Sequence, residues 1–237
     1  MSGHSKWHSI KHQKAATDAK RGQAFTRLTN NISAAAKQGG GDIEMNFRLR
    51  LAVETARAAN MPKDNIERAI KRGTGELAGV TIEEFTMEAF APGGAGLLIS
   101  IITDNRNRAL SDIRLILSKG GGTVAGQGAV SHMFEQRGVL RASTDLTDQL
   151  EEQIIDSGAL DYSADDGILT IETDRTDLKK VKDALEEDGL KFETADLEFV
   201  PTTTAAIPDG KRDSLIGLME RLEDNDDVAS VATNAEL

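Results

Sequence analysis

Residues 159–173, ALDYSADDGILTIET, largely decide the fold, because they predict two short strands joined by a tight turn. The strands are expected at 159–163 and 168–173. Asp166 and Gly167 lie between them, and Asp-Gly is a dipeptide typical of two-residue hairpin turns. The stretch therefore predicts a β-hairpin.

The segments on either side of this hairpin extend it to a longer pattern. A strand at 139–142 and a helix at 146–156 are expected before it. A helix at about 176–187 and a strand at 192–200 are expected after it. The resulting βαββαβ order is the split-βαβ arrangement of ferredoxin-like domains. We therefore predict a ferredoxin-like α/β domain at residues 138–200.

The chain further out predicts a second α/β unit that the ferredoxin-like domain interrupts. Before the interruption, the expected elements are strands at 84–90 and 97–103, a helix at 107–119 and a strand at 130–135. After it, a helix at about 211–222 and a strand at 228–232 should complete the same sheet. The glycine-rich segments 92–96 and 120–122 match no phosphate-binding motif, so we interpret them as tight turns. The prediction is a discontinuous domain, residues 77–137 plus 201–237.

Residues 1–76 predict helices alone. Apolar residues recur at helical spacing up to the glycines at 39–41, and a second helix is expected at about 44–59. A third begins near Pro62 and ends at Gly73, in agreement with the positional preferences of proline and glycine. The overall prediction is an α+β protein with an N-terminal helical domain, residues 1–76, followed by two α/β domains, one inserted into the other.

Charge is distributed unevenly along the 237 residues, whose net charge is −11. Residues 1–75 contain 14 Lys and Arg against 6 Asp and Glu, a balance of +8. Residues 76–237 contain 14 against 33, a balance of −19. A basic segment in an acidic chain predicts contact of that segment with nucleic acid or a membrane. The alternative is that the two parts attract each other.

Several classes of protein and site are disfavoured by composition. The chain has no cysteine, which excludes disulfides and thiolate metal sites. No apolar run approaches the length of a membrane span, and the N-terminus lacks a signal sequence, so we expect a cytoplasmic protein without membrane contact. His4, His8 and His12 share helical spacing, but no recognisable ligand set accompanies them. Ser131 and His132 should point to opposite faces of a strand. We predict no cofactor, no metal and no enzymatic activity.

The cations of the basic segment are the candidate nucleic-acid-binding residues. Binding a phosphate backbone requires several cations, each of which releases condensed counterions. The first candidates are Lys6, Lys11, Lys14, Lys20, Arg21 and Arg27. The second candidates are Lys37, Arg48, Arg50, Lys71 and Arg72. The alternative interpretation is a solvated basic surface with no ligand.

Blocks spread over nearly the whole chain resemble the YebC/PmpR family. They are MSGHSKWHSIKHQKAATDAKRGQAFTRL, RLRLAVETARAANMPKDNIERAIKRGTGE, APGGAG, TDNRNRALSDIR and LEDNDDVASVATN. The resemblance implies three domains, one interrupting another. It also implies DNA-binding regulators in the bacterial cytoplasm, translational activators among mitochondrial relatives, and association with ribosomes.

The chain departs from the family pattern at several positions. Ile43 and Phe47 stand where the family usually has prolines, which should alter the entry into the second helix. Met87 and Phe90 stand where tyrosines are expected, and Ala232 where an aromatic is common. If those aromatics stack on bases, this chain has largely lost that means of binding. The basic N-terminal blocks are intact, so we place the site there.

The sequence as a whole predicts a nucleic-acid-binding regulator of gene expression. The first hypothesis is a DNA-binding transcriptional regulator that uses the basic helical domain. The second is a translation factor that binds ribosomal RNA or the ribosome, and an enzyme is a distant third. No helix-turn-helix pattern is evident, which favours binding led by shape or backbone. The sequence predicts no oligomeric state.

Overall fold

The computed structural model describes residues 18–77 and 81–236, which form seven α-helices and ten strands. The helices are α1 (Asp18–Gly39), α2 (Phe47–Ala58), α3 (Lys63–Thr74), α4 (Arg106–Lys119), α5 (Asp148–Ser157), α6 (Leu178–Glu187) and α7 (Asp209–Glu223). The strands are β1 (Glu83–Phe90), β2 (Gly96–Thr103), β3 (Thr123–Val124), β4 (Phe134–Ser143), β5 (Asp161–Asp165), β6 (Ile168–Asp174), β7 (Thr194–Pro201), β8 (Ala205–Ala206), β9 (Val228–Thr233) and β10 (Ala235–Glu236). The predicted α+β class is confirmed.

The ferredoxin-like unit consists of β4 to β7 with α5 and α6. Its sheet order is β5-β6-β4-β7, and all neighbouring strands are antiparallel. The predicted hairpin joins β5 to β6, and Asp166 and Gly167 have φ values of 50° and 77°. Positive φ at both central residues is what a two-residue type I′ turn requires. The buried core of this unit includes Leu140, Ile154, Leu169, Ile171, Val181 and Leu185.

The other sheet confirms that the ferredoxin-like unit interrupts a first α/β unit. Its order is β3-β1-β2-β9, so the C-terminal β9 pairs with β2 from before the interruption. Helices α4 and α7 pack against this sheet around a core that includes Leu97, Ile99, Ile113, Leu117 and Leu218. The predicted tight turn between β1 and β2 is also confirmed, because Gly93 and Gly94 have φ values of 99° and 90°.

The strand predicted at 130–135 is wrong. The chain forms a 3-10 helix at Ser131–Met133, and Phe134 then begins β4 of the ferredoxin-like sheet. The cause lies in β1, where the buried Glu88 carboxylate accepts N–H groups from Gly128, Val130 and Ser131. These three bonds curl the segment around one side chain, so it cannot extend as a strand.

The helical unit, α1 to α3, packs around Ile32, Leu49, Val53 and Ile66. Small residues allow α1 and α3 to approach closely. A Cβ on Gly73 would lie 2.3 Å from the carbonyl oxygen of Ser33. The Ser33 hydroxyl donates to the carbonyl of Ala69 at 2.9 Å. Gly73 is therefore required by helix packing and lies within α3, whose αL cap is Gly75.

Helix α2 begins at Phe47, three residues later than predicted. Asn46 caps it, because the side-chain oxygen of Asn46 accepts the Leu49 N–H at 3.1 Å. The amide nitrogen of the same side chain donates to the carbonyls of Ala35 and Gly40, at 2.9 and 2.8 Å. One buried side chain thus ends α1 and starts α2, which fixes the boundary.

Apolar contacts join the helical unit to both α/β units. On α2, Leu51 is 6% exposed and belongs to the ferredoxin-like core, and Phe47 packs against the same core. On α1, Ala34 is buried with Ile82 and Ile102 of the first α/β unit. The departure from the family at Phe47 therefore supplies a packing contact between units.

Candidate nucleic-acid interface

The first group of predicted cations lies partly outside the described residues and partly at the start of α1. Lys6, Lys11 and Lys14 fall outside the described residues. Lys20 and Arg21 lie in the first turn of α1, and only their backbone is described. Arg27 lies nearly two turns further along α1 and is half-buried. Their role in binding stays a prediction.

One face of α1 contacts the acidic body, which we define as residues 76–237. The Asn30 amide donates to the carbonyl of Ile102 at 3.3 Å. Two turns later, the Lys37 ammonium donates to the carbonyl of Ile82 at 2.6 Å. A spacing of seven residues places Asn30 and Lys37 on the same side of the helix, and Arg27 lies about 60° around the helix from Asn30, at the border of that side. The structure therefore places Lys37 in a contact between units.

Arg48 on α2 also reaches the acidic body. Its guanidinium forms a two-pronged ion pair with Glu84 of β1, with N–O distances of 2.6 and 2.9 Å. Burial alone would lower the pKa of Arg48, but the hydrogen bonds and charge of Glu84 raise it above its ordinary value. Arg48 is therefore firmly charged and already paired with a carboxylate.

Arg72 on α3 forms a second ion pair with the body. Its guanidinium lies 3.1 Å from the Asp104 carboxylate, at the end of β2. Asp104 also contacts Arg108 of α4 at 3.0 Å, and Arg108 pairs with the buried Asp227 at 2.9 Å. The hydrogen bonds that Arg108 donates to the Asp227 carboxylate raise the pKa of Arg108. A chain of alternating charges thus links the helical unit to the first α/β unit.

Arg50 stabilises the loop between α1 and α2 through hydrogen bonds to its backbone. Its guanidinium donates to the carbonyls of Ile43 and Glu44, at 3.3 and 2.6 Å. Within the described residues, no ion pair joins Arg50 to Glu54, its neighbour one turn later on α2. Glu54 instead lies 3.6 Å from the ammonium of Lys182 on α6. That partner is distant in sequence, so the local pattern could not predict it.

Other cations of the helical unit face solvent. Arg57 at the end of α2, and Arg68 and Lys71 on α3, are exposed and form no ion pair within the described part of the chain. Arg68 and Lys71 are three residues apart on the outer face of α3, opposite the buried Ile66 and Ala69. Lys71 was predicted as a site residue, whereas Arg57 and Arg68 were missed. Whether these side chains reach solvent depends on tertiary packing, so the sequence alone did not distinguish them from other cations.

The connection between α2 and α3 corrects one expectation. It spans residues 59–62, a length compatible with helix-turn-helix geometry. The first two turns of α3 nevertheless carry Asp64 and Glu67, and Glu67 pairs with Lys63 at 3.5 Å. Recognition helices use this end to contact base edges. Two carboxylates there disfavour insertion into a groove lined by phosphates.

The family's aromatic positions do not form a stacking surface in this chain. Met87 is 7% exposed and belongs to the core of the first α/β unit. Ala232 is 3% exposed and packs in a separate cluster with Phe90. Positions 87 and 232 therefore face the interior, where a base could not reach them.

The described residues show neither a metal site nor a membrane-spanning helix. Within residues 18–77 and 81–236, no group of His, Asp and Glu side chains is arranged to hold a metal ion. His132 lies on the 3-10 helix, and its ring nitrogen contacts the carbonyl of Gly128 at 3.2 Å. In the same part of the chain, no helix is both long and apolar enough to span a bilayer.

Known proteins resemble this chain over its whole length. A model of the TACO1/YebC protein N-terminal domain matches residues 5–76, and a model of the TACO1/YebC second and third domain matches residues 82–235. A "probable transcriptional regulatory protein" from Persephonella marina is 48% identical over 100% of this chain and 96% of that protein. One from Dehalococcoides mccartyi is 47% identical, covering 100% and 95%. The crystal structure of a conserved hypothetical protein from Aquifex aeolicus superposes with a TM-score of 0.90 at 40% identity, covering 96% and 95%.

Proposed function

The chain belongs to the TACO1/YebC family, and from that premise we propose that it is a non-enzymatic, nucleic-acid-binding regulator of gene expression. Its relatives are named probable transcriptional regulatory proteins. We therefore take a DNA-binding transcriptional regulator in the cytoplasm as the first form of the proposal. The helical unit binds the nucleic acid, and the acidic body supports that unit.

The observation that carries this proposal is the separation of charge. Residues 1–75 hold a balance of +8, against −19 for the rest of the chain. Nucleic-acid backbones attract clustered cations through counterion release, and that term needs no particular base sequence. An acidic body cannot supply it, so the contact falls to the helical unit.

The described contacts divide the predicted cations into two groups. We propose that Lys6, Lys11, Lys14, Lys20, Arg21 and Arg27 contact phosphates, together with Lys71 and the newly identified Arg57 and Arg68. Lys37, Arg48 and Arg72 hold the helical unit on the acidic body, and Arg50 shapes the loop before α2. The second set is separated by its described partners, because Arg48 and Arg72 must lose a carboxylate, and Lys37 and Arg50 a backbone carbonyl, before they can bind phosphate.

Charge reversal on α3 tests the proposal in the full-length protein. The variant Arg68→Glu with Lys71→Glu should bind duplex DNA at least about tenfold more weakly, since two attractive contacts become repulsive. The matched control, Lys179→Glu with Lys180→Glu on α6, changes the charge equally at another exposed helix and should leave affinity close to the original. Fluorescence anisotropy measures both. Equal losses in the two variants would show that only net charge matters.

Ribosomal RNA is the second candidate ligand, favoured by the acidic start of α3. Asp64 and Glu67 argue against a helix inserted into the major groove, whereas structured RNA is recognised mainly by shape and backbone. Sedimentation of the endogenous protein through a ribosome gradient, with and without ribonuclease, separates the two forms. Ribonuclease-sensitive comigration with ribosomes supports the translation factor, and its absence supports the DNA-binding regulator.

A further inference from the structure

Two large apolar side chains are exposed where the chain passes from α5 to β5, one in the last turn of α5 and one just before β5. Ile155 is 60% exposed and Leu160 is 58% exposed. They flank the left-handed cap at Gly158, whose N–H donates to the carbonyl of Ile155. The backbone N–H of Leu160 donates to the carbonyl of Glu172 at 2.8 Å. Hydrogen-bonded backbone on both sides therefore presents this pair to solvent.

Carboxylates surround the apolar pair. Glu152 lies one turn before Ile155 on the same side of α5, Asp156 follows Ile155, and Asp161 follows Leu160; all three carboxylates are exposed. The sequence contains no Lys or Arg from residue 142 to residue 174, and ten Asp and Glu.

One nearby cation reduces this negative charge without cancelling it. The ammonium of Lys180 on α6 would lie 3.9 Å from a Cβ placed on Gly158. There it faces the carbonyl end of α5, where a positive charge is favourable. Glu151 is engaged locally, because it accepts the Tyr162 hydroxyl. Glu152, Asp156 and Asp161 remain around the apolar pair.

We propose that this α5–β5 face, centred on Ile155 and Leu160, docks a cationic protein segment that carries apolar side chains. Phosphate-rich ligands are excluded, because the carboxylates would repel the phosphates. An uncharged apolar partner would offer these carboxylates no positive charge to pair with. Apolar contacts at the centre with opposite charges at the rim are the usual division of roles in protein interfaces. The inference is independent of nucleic-acid binding, which uses the opposite charge in another unit.

Synthetic peptides of about 16 residues provide the probe, because an amphipathic helix of that length spans four turns. The first carries Lys and Leu, the second has Glu in place of Lys, and the third has Ser in place of Leu. Isothermal titration with the full-length protein should show saturable binding of the Lys/Leu peptide. The other two should bind at least about tenfold more weakly, since each lacks one half of the complementarity.

Variants of the protein locate the contact. Ile155→Gln with Leu160→Gln should weaken the Lys/Leu peptide at least about tenfold. The control Leu115→Gln removes another exposed leucine, which is 53% exposed on α4 beside Arg114, and should change nothing. Circular dichroism confirms that each variant is folded. Both sites are on the surface, so folding is expected to persist.

Four outcomes overturn the proposal. They are no saturable binding, equal binding by the Lys/Ser peptide, unchanged binding in the double variant, and an equal loss in Leu115→Gln. Sedimentation equilibrium tests whether a second copy of the chain binds to this face instead. If the original protein self-associates and the double variant does not, the face binds a second copy of the chain. Duplex DNA titrations on the same samples show separately whether the proposed function stands.

Discussion

Asn46 shows how much of the helical unit depends on one side chain. It caps α2 through Leu49 and satisfies the carbonyls of Ala35 and Gly40 near the end of α1. It is 7% exposed, so water cannot readily replace these bonds. Losing a cap costs about 1 kcal/mol, and the buried contact to the Ala35 carbonyl adds about 1–3 kcal/mol, whereas the contact to Gly40 is only part-buried and adds little.

We therefore predict that Asn46→Ala lowers the free energy of unfolding by about 2–4 kcal/mol. Urea denaturation measures the change. Asn65→Ala on α3 is the control, because the Asn65 side chain makes no hydrogen bond within the described residues. That control should stay within about 0.5 kcal/mol of the original protein. A similar small change for Asn46→Ala would contradict the capping role.

At the scale of residues, the sequence predicted only part of the candidate site. Charge counting predicted which unit carries the cations, because composition alone determines that. It could not separate Lys71 from Arg72, which are adjacent in sequence. Arg72 meets Asp104, whereas Lys71 faces solvent, and only tertiary packing makes that distinction.

At the scale of elements, local patterns predicted most of the fold. The β5–β6 hairpin followed from Asp166 and Gly167, since the residues of the turn themselves determine its geometry. The start of β4 did not follow from its own residues, because Glu88, more than forty residues earlier, bends the segment before it. The burial of Phe47 and Leu51 on α2 likewise did not follow from the local sequence, because the residues that cover them lie in the ferredoxin-like unit.

The Glu88 contact makes a testable prediction about pH. Burial would raise the pKa of Glu88, but the N–H groups of Gly128, Val130 and Ser131 outweigh burial and lower it. A lowered pKa in the folded state stabilises the protein above the ordinary pKa, and the effect disappears as pH falls through the lowered value. Glu88→Gln should therefore cost about 2–4 kcal/mol at neutral pH, because it removes charge-assisted bonds.

Unfolding free energies at pH 7 and at about pH 3 check this, because that interval includes the ordinary titration range of a glutamate. The difference between the original protein and Glu88→Gln should shrink at the lower pH. The exposed Glu152→Gln on α5 serves as the control and should show little difference at either pH. A deficit for Glu88→Gln that is independent of pH would indicate a loss of packing instead.

The whole molecule combines weak charge contacts with stronger apolar ones. An ion pair as exposed as Arg48–Glu84 contributes about 0.2–1 kcal/mol, whereas burying a leucine contributes about 1.5–3 kcal/mol. Leu51 and Phe47 in the ferredoxin-like core should therefore dominate the attachment of the helical unit. We accordingly propose three domains that act as a connected assembly, the first at residues 1–76. The expected boundaries 77–137 plus 201–237 and 138–200 move to 77–133 plus 202–237 and 134–201, because β4 and β7 belong wholly to the ferredoxin-like sheet. Full-length variants are consequently better tests than isolated fragments.

The salt dependence of DNA binding by the full-length protein tests the central claim most directly. If all nine proposed cations contact phosphates, the slope of log affinity against log salt should be about −8, and contacts by the six first candidates alone, Lys6 to Arg27, would give about −5. Lys14→Ala should flatten it by about one unit and weaken all sequences similarly. A slope close to zero, or a loss for one DNA sequence alone at unchanged slope, would contradict binding through phosphate contacts of the helical unit.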